Sequence, residues 1–332
     1  MKALVLNAAK QPLEMEERAE LTPDSGDVVV KLKTAALNRR DFWITRGMYP
    51  GIVYPIILGS DGAGVVSQVG EGVESSWIGN EVIINPSLDW GNKQIAQADD
   101  FNILGLPRDG TFATEVTVPE SQLHAKPAHL NWEEAAALPL AGLTAYRALF
   151  SQGGLQQGET ILITGVGGGV ATFVLQFAVA AGAEVWVTSS SEQKIDRAVK
   201  LGAKRGFLYT AENWAEDFVK TAGAPSLIID SAAGPAYDTL IDLVAMGGRI
   251  VNFGATLGPP DKLEMRKLFW KQLRLQGSTM GSPADFEDML KFSAKHGVVP
   301  IIDATYSLAE GNTAIEQMKV SPQFGKYVLT ND

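Results

Sequence analysis

The sequence has no cysteine among its 332 residues and only three histidines. Without cysteine, the chain can form no disulfide, no thiolate nucleophile and no sulfur-ligated metal site. His124, His129 and His296 are scattered without the short spacings of metal ligands, so each is better interpreted as a solvated or core residue. The sequence therefore predicts a protein without bound zinc.

Runs of basic residues and long apolar stretches are absent too. The formal net charge of -10 opposes phosphate backbones and anionic lipids, so we expect neither nucleic acid nor a membrane surface as the main partner. The richest apolar stretch, 173–187, is interrupted by Gly182 and Glu184 and falls short of the ~20 residues of a membrane helix. The amino-terminal residues lack the apolar stretch and cleavage site of a secretory signal, which favours a cytoplasmic protein.

Length and composition predict two domains, because 332 residues with 45% hydrophobic content exceed one ordinary core. The first part has short β-branched runs between turn residues, at 27–33, 63–69 and 81–85, which is typical of a small β-barrel-like domain. From about residue 127, apolar strands alternate with amphipathic helices, the pattern of a parallel sheet covered on both faces. A last strand, 325–330, is expected to return to the first domain. The predicted strands of the parallel sheet are 159–164, 184–188, 226–230, 249–253 and 273–277.

A glycine-rich loop, GVGGGVA at 165–171, lies between the first of these strands and a predicted helix at 170–181. Its spacing is G-x-x-G-x-x-A rather than G-x-G-x-x-G. Glycines let the backbone turn tightly and bring its N–H groups against a pyrophosphate at the helix N-terminus. A structural turn is the simpler interpretation of a glycine cluster alone, but the strand before it and the helix after it favour dinucleotide binding. The predicted contacts are Gly165, Gly168, Gly169 and Val170.

The end of the next strand indicates which dinucleotide is bound. NAD-binding chains usually have a carboxylate there for the ribose hydroxyl, whereas this chain has Ser189 and Ser190, followed by Lys194 and Arg197. Hydroxyls and cations suit a 2′-phosphate, so these residues favour NADPH, with Ser189, Ser190 and Lys194 as predicted contacts. The alternative is that both cations belong to the solvated face of the next helix, and Glu192 lies close enough to weaken the argument.

Motifs along nearly the whole chain point to one family. They are NRRD at 38–41, RGMY at 46–49, GSDGAGVVSQVGEGV from Gly59, DGTFATEVTVP from Asp109, AAALPLAGLTAYRAL from Ala135, the glycine loop, LGAK from Leu201, GGRIVNFG from Gly247 and the terminal GKYVL. In this order and spacing they resemble the medium-chain dehydrogenase/reductase superfamily, in its zinc-free quinone oxidoreductase-like branch. The resemblance implies an α/β protein. A GroES-like β-barrel catalytic domain would span 1–127, completed by 291–332, and a Rossmann domain with a doubly wound parallel sheet would span 128–290.

The resemblance also bears on metals. Zinc-dependent members have a cysteine in place of Asn38, a His-Glu pair in place of Ser60 and Asp61, and a second cysteine near Leu140. The segment 86–108 lies where those relatives place four cysteines on a structural zinc. We interpret it as a zinc-free surface lobe, held together by Trp90, Phe101, Ile103 and Leu104.

Further cofactor contacts are implied by the resemblance alone. Thr144 resembles the family threonine near the nicotinamide ribose and phosphate, and Tyr209 takes the place of a tyrosine that helps to hold the 2′-phosphate. Phe253, Gly254 and Ala255 match the segment beneath the nicotinamide ring. Without the resemblance, these residues would be interpreted as an ordinary helix residue, a core aromatic and a strand end followed by a turn.

The absence of zinc favours activated substrates, because no Lewis acid would polarise an alcohol or simple ketone. A quinone or an α,β-unsaturated carbonyl needs chiefly orientation, a hydrogen bond to its oxygen and a proton source. The candidate catalytic residues are Tyr49, Asn38, Arg40 and Asp41, and Trp43 is expected to narrow the substrate pocket. Tyr49 resembles a tyrosine that serves enoyl-thioester reductases, whereas Asp41 has the alternative role of capping local backbone N–H groups.

Two other functions remain open. The first is an enoyl-thioester reductase, for which Arg39, Arg40 and Arg46 would contribute to a basic groove. The second is a non-catalytic NADPH-binding or structural protein, because a fold does not fix a function. We also expect a homodimer, since the apolar segment 273–280 would leave a strand at an open sheet edge.

Overall fold

A computed structural model describes residues 1–320 and 322–331. Its strands are β1 (Lys2–Leu6), β2 (Glu14–Glu17), β3 (Asp27–Ala36), β4 (Ile56–Ile57), β5 (Asp61–Val69), β6 (Glu81–Ile84), β7 (Ser87–Leu88), β8 (Asn102–Ile103), β9 (Glu115–Pro119), β10 (Leu123–Ala125), β11 (Thr160–Ile163), β12 (Glu184–Ser189), β13 (Arg205–Leu208), β14 (Leu227–Asp230), β15 (Arg249–Asn252), β16 (Arg274–Gly277), β17 (Ile302–Ser307) and β18 (Lys326–Thr330).

The helices are α1 (Arg39–Thr45), α2 (Trp132–Ala137), α3 (Pro139–Tyr146), α4 (Gly169–Ala180), α5 (Glu192–Lys200), α6 (Trp214–Ala222), α7 (Tyr237–Leu243), α8 (Met265–Lys271), α9 (Pro283–His296) and α10 (Gly311–Val320). A π-helical segment, Arg147–Gln152, follows α3, and short 3-10 turns lie at Ser75–Trp77, Glu120–Gln122 and Leu308–Glu310. None of the helices in residues 1–320 and 322–331 is both long enough and apolar enough to cross a membrane.

The chain divides into two compact units, one formed by Met1–Ala141 with Ser282–Asp332 and the other by Gly142–Gly281. The sequence-based boundaries, 127/128 and 290/291, differ from these. The first unit keeps α2 because that helix packs on β3 and β5. It keeps the start of α9 because the ring of Phe286 packs 4.6 Å from that of His124.

The first unit is built on a seven-stranded sheet ordered β10-β6-β5-β3-β18-β17, with β9 also paired to β3. A three-stranded sheet, β2-β1-β4, and the β7–β8 pair complete its strands. Alternate residues of β3, Val28, Val30 and Leu32, lie in one apolar core, as the period of two in a strand requires. The predicted return of the last strand is confirmed, because β18 pairs antiparallel with β3.

The second unit is a six-stranded parallel sheet ordered β13-β12-β11-β14-β15-β16. This order starts in the middle and proceeds outward in both directions, which defines a doubly wound Rossmann sheet, and the predicted fold class is confirmed. All five predicted strands of this sheet are present, with ends shifted by at most about one residue. The sixth strand, β13, was not predicted, because its sequence RGFL is short and contains glycine.

The lobe at 86–108 contains only the two short strands β7 and β8. Trp90 and Leu104 are buried, whereas Phe101 and Ile103 are half-buried. The rings of Trp90 and Phe101 meet edge to face at 5.3 Å, and the indole N–H of Trp90 donates to the carbonyl of Lys93. Aromatic packing therefore helps to order this segment.

Candidate active site

A buried charge cluster in the first unit joins Asn38, Asp61 and Lys326. The Lys326 ammonium donates to Asn38 Oδ1 at 2.6 Å and to Asp61 Oδ2 at 2.8 Å. The amide of Asn38 donates to the same carboxylate oxygen at 2.9 Å, and the backbone N–H of Leu140 donates to Asp61 Oδ1 at 2.7 Å. Because the side chains of Lys326 and Asp61 are 4% and 0% exposed, this is a nearly dry ion pair.

Helix α1 begins beside this cluster, and Asp41 caps it. Asp41 Oδ2 accepts a hydrogen bond from the backbone N–H of Asn38 at 2.7 Å, within a capping box. Asp41 is fully buried and its Oδ1 has no hydrogen-bond partner among the described residues. Burial raises the pKa of the Asp41 carboxyl to about 6, although the charge of Arg40 and the hydrogen bond from Asn38 act in the opposite direction. The structure thus shows the capping contact that was the alternative to a catalytic role for Asp41.

Arg40 also lies inside the first unit, with 8% of its surface exposed. Its guanidinium donates to Ser60 Oγ at 2.7 Å and to the carbonyl of Leu104 at 2.9 Å. The same guanidinium lies 5.2 Å from the centre of the Tyr49 ring, a cation-π distance. Arg40 therefore joins helix α1, the lobe and the Tyr49 segment.

Tyr49 lines a cavity of about 400 Å³ in the first unit, a volume within the range of small-molecule sites. Its other lining residues are Arg40, Pro50, Gly51, Asp100, Phe101, Asn102, Ile103, Leu106 and Pro107. Trp43 is not among these described lining residues. Its ring packs edge to face on Phe42 and lies 5.2 Å from the guanidinium of Arg39.

The glycine loop of the second unit lies between β11 and α4. Gly165 and Gly167 have φ of 62° and 137°, conformations that strongly favour glycine. A Cβ atom added at Gly165 or Gly168 would meet no atom within 4 Å, so the space above the loop is open. Gly168 is the N-cap of α4 and provides no side-chain cap. The first backbone N–H groups of α4, at Gly169 and Val170, therefore point towards a site that suits an anion.

Strand β12 ends at Ser189, which is buried, while Ser190 is exposed. The backbone N–H of Tyr209 donates to the carbonyl of Ser189 at 3.1 Å, so Tyr209 lies beside this strand end. Tyr209 is 46% exposed, which overturns the core-aromatic alternative. Lys194 is half-buried in the first turn of α5, and Ser191 caps that helix. The structure therefore brings Ser189, Ser190 and Tyr209 to one edge of the sheet, with Lys194 a few residues further along the chain.

The remaining predicted cofactor residues also belong to the second unit. Thr144 is buried in α3, and its hydroxyl lies 3.8 Å from the sulfur of Met280. Phe253 follows β15 and is half-buried, whereas Gly254 and Ala255 are exposed. The segment 253–255 thus begins at the carboxyl-terminal edge of the sheet, the edge from which the glycine loop also starts.

Comparisons with known proteins agree with this architecture. A family model described as "Alcohol dehydrogenase GroES-like domain" matches residues 24–128, and one described as "Zinc-binding dehydrogenase" matches residues 169–295. A zinc-type alcohol dehydrogenase-like protein of Leptosphaeria maculans is 34% identical, covering 96% of this chain and 94% of the relative. The chain belongs to the medium-chain dehydrogenase/reductase superfamily.

Two other superfamily members indicate the range of relatives. An acryloyl-coenzyme A reductase of Metallosphaera sedula is 31% identical, covering 99% of this chain and 100% of the relative. The crystal structure of an NAD-dependent alcohol dehydrogenase is 34% identical with a TM-score of 0.94, and each chain is fully covered. Like these relatives, the chain itself is an oxidoreductase with a GroES-like domain and a Rossmann domain.

Zinc, which the name of one matching family implies, does not fit the residues at the corresponding positions. Of these, only Asp61 offers a carboxylate, and both of its oxygens already accept hydrogen bonds. The Lys326 ammonium contacts Asp61 and Asn38 and would repel a divalent cation placed there. Within residues 1–320 and 322–331, no group of three or more histidine, cysteine, aspartate or glutamate side chains could hold a metal.

A dinucleotide, by contrast, fits the second unit of the chain. The open glycine loop and the uncapped start of α4 would hold the diphosphate. The predicted place of this loop, between a strand and a helix, is confirmed, whereas its binding of a dinucleotide stays a prediction. The sequence does not indicate Lys326, whose partners Asn38 and Asp61 are 288 and 265 residues away along the chain. The terminal GKYVL motif contains Lys326 but was used for the family resemblance alone.

Proposed function

We propose that the protein is an NADPH-dependent, zinc-independent reductase of the quinone oxidoreductase-like branch. Its substrates would be quinones or compounds with a carbon–carbon double bond conjugated to a carbonyl. The observation that carries the proposal is the Lys326–Asp61–Asn38 cluster, in which an ammonium contacts both Asn38 and Asp61. The resemblance places metal ligands of zinc-dependent members at these two positions. The chain therefore stabilises this region with its own cation.

The proposed range of substrates follows from the lack of a metal site in this cluster. A bound zinc ion would supply several kcal/mol of charge stabilisation to an alkoxide or a polarised ketone. Asn38, Asp61 and Lys326 cannot replace that contribution, because their polar atoms are already engaged with one another. Substrates that are electrophilic without a metal are therefore the ones that this site suits.

We assign to Tyr49 the role of stabilising the negative charge that develops on the substrate oxygen. A bound nicotinamide dinucleotide would supply the hydride. A phenol can donate a hydrogen bond to an enolate oxygen and provide a proton. Tyr49 lines the cavity of about 400 Å³, and the Arg40 guanidinium beside its ring holds the segment in place. Phe101, Ile103 and Leu106 would contact the apolar part of the substrate.

The choice of NADPH rests on the end of β12. Ser189 ends the strand in place of an acidic residue, and Ser190 and Tyr209 are exposed at this edge, although Glu192 follows in the first turn of α5. Lys194 follows in the first turn of α5. The solved relative named as NAD-dependent makes the comparison of NADPH with NADH a necessary measurement.

An enoyl thioester is the second candidate substrate, because relatives named acryloyl-coenzyme A reductase align over nearly their whole length. The arginines that could form a basic groove for coenzyme A all have partners in the first unit. Arg39 donates to the carbonyl of Met318, Arg46 pairs with Glu316 and Arg40 is buried. These contacts favour a small enone over a substrate bound by phosphate contacts at this position.

The deciding experiment measures NADPH and NADH oxidation with a panel of enones, quinones and acryloyl-coenzyme A, before and after treatment with a strong chelator. We expect turnover of enones or quinones with NADPH that persists in chelator, in a protein without stoichiometric zinc. Activity confined to the thioester would support the second candidate. Tight NADPH binding without turnover of any acceptor would support a non-catalytic protein, and loss of activity with about one zinc per chain would refute zinc independence.

A further inference from the structure

Four hydrogen-bond donors converge on the buried carboxylate of Asp230, at the end of β14 in the second unit. Asp230 Oδ1 accepts from the hydroxyl of Thr164 at 2.5 Å. Oδ2 accepts from the amide of Asn252 at 2.9 Å and from the backbone N–H groups of Ala232 and Ala233 at 3.2 and 2.8 Å. Asp230 is 1% exposed, so the carboxylate depends on these donors in place of water.

The two side-chain donors stand at positions that matter for the proposed cofactor site. Thr164 directly precedes Gly165, where the glycine loop begins, and Asn252 directly precedes Phe253. Asp230 thus joins the ends of three neighbouring strands, β11, β14 and β15. Among the described residues, no backbone hydrogen bonds of the sheet connect the glycine loop to the segment that begins at Phe253 beyond these strand ends.

The network continues on both sides of Asn252. Its Oδ1 accepts from the hydroxyl of Tyr237 at 2.5 Å, and burial raises the pKa of this phenol to about 12, so it remains a donor. The loop after Asp230 also pairs with the loop after Phe253, because the N–H of Leu257 donates to the carbonyl of Ala232 at 2.9 Å. Ala233 has a φ of 50°, a conformation that the hydrogen bond from its N–H to Asp230 helps to stabilise.

We propose that Asp230 is a positioning residue for the nicotinamide half of the dinucleotide, fixing the segment 253–255 relative to the glycine loop. This inference rests on the proposed use of a nicotinamide dinucleotide. The carboxylate has no role in the chemistry. It sets the geometry in advance, so that binding does not have to order the two loops.

The test compares Asp230→Ala with Asp230→Asn. Alanine removes every acceptor, whereas asparagine can keep its oxygen for the backbone N–H groups and donate its amide to the hydroxyl of Thr164. The binding of NADPH is measured by its fluorescence, and that of adenosine 2′,5′-bisphosphate, which lacks the nicotinamide half, by calorimetry. The control is Ser226→Ala, which removes a 2.9 Å hydrogen bond to Glu159 at the opposite end of the same sheet.

We expect Asp230→Ala to weaken NADPH at least about tenfold, as the loss of a buried acceptor predicts, with the fragment weakened less than about threefold. Asp230→Asn should recover most of the NADPH affinity, and Ser226→Ala should lower stability with little change in binding. Equal losses of NADPH and of the fragment, or no loss of either in folded protein, would overturn the inference. The unmodified protein is titrated first with NADPH and NADH, so failure of the proposed function is recognised before any variant is interpreted.

If Asp230→Ala does not fold, single arms of the network can be tested instead. Asn252→Ala removes the donor next to Phe253 and should weaken NADPH more than the adenosine fragment. Tyr237→Phe removes one hydroxyl and should have a smaller effect in the same direction. Unchanged NADPH affinity in Asn252→Ala would overturn the inference.

Discussion

Replacing Lys326 by methionine tests the buried cluster of Lys326, Asp61 and Asn38. Methionine keeps an unbranched apolar chain and removes the ammonium, with both its charge and its hydrogen bonds to Asn38 and Asp61. The Asp61 carboxylate, 0% exposed, would then lose its cationic partner at 2.8 Å and keep hydrogen bonds from Asn38 and Leu140. Breaking one partner of such a buried pair destabilises a protein by about 3–5 kcal/mol.

The two units need not unfold together, so one global free energy is not a safe measurement. Hydrogen exchange read by mass spectrometry reports each unit separately. Peptides from β3, β5 and β18 should exchange faster in Lys326→Met, whereas peptides from β11 to β16 provide an internal control. Lys220→Met is the matched surface control, because Lys220 pairs with Glu216 while about 70% exposed and should change exchange very little.

A second substitution separates charge from packing. In Lys326→Met with Asp61→Asn, the carboxamide keeps an acceptor for the N–H of Leu140 and carries no charge. We expect this double variant to be more stable than Lys326→Met alone. The reasoning fails if Lys326→Met changes exchange as little as Lys220→Met, or if the double variant is less stable than the single one.

Four further predictions concern catalysis, cofactor choice, pH and assembly. Tyr49→Phe should lower kcat/KM for enones about 10²-fold with NADPH binding unchanged, and a change within threefold would reduce Tyr49 to a packing residue. Lys194→Ala and Tyr209→Phe should weaken NADPH by about 1.5–3 kcal/mol and leave NADH nearly unchanged, whereas equal losses in titration would contradict this role. The Asp41 carboxyl, with a pKa raised to about 6 from 3.8, holds its proton longer in the folded state. Chemical denaturation should therefore show that the free energy of unfolding falls as the pH rises from about 4 to about 6. The Asp41→Asn variant should not show this fall. Light scattering should show a homodimer, because β16 ends the sheet and Trp270 beside it is 74% exposed, and a monomeric mass would count against it.

The elements that the sequence predicted well depend on local patterns. Strands such as 226–230 and 249–253 show continuous apolar runs because the sheet buries them on both faces, and β14 and β15 are found there. The glycine loop was predicted for the same reason, since its residues are contiguous and its geometry requires glycine.

The contacts that the sequence did not reveal are made between distant residues. Lys326 gives no local sign that it will be buried, because a lysine near the carboxyl terminus is usually solvated. Asp230 was included in a predicted strand, but its partners, Thr164 and Asn252, come from two other strands. Tyr209 was ambiguous because an aromatic after GFL suits either a core or an edge, and only the end of β13 decides that it is exposed.

The pairing of β18 with β3 has a consequence for the order in which the chain folds during synthesis. Strand β3 is made early, but its partner at Val328–Thr330 leaves the ribosome only after the whole of Gly142–Gly281. The second unit is continuous in sequence and can form its sheet while the first still lacks a central strand. Until β18 arrives, the edge of β3 at residues 34–36 lacks its partner strand, so we expect the nascent first unit to be the part most exposed to wrong strand pairing.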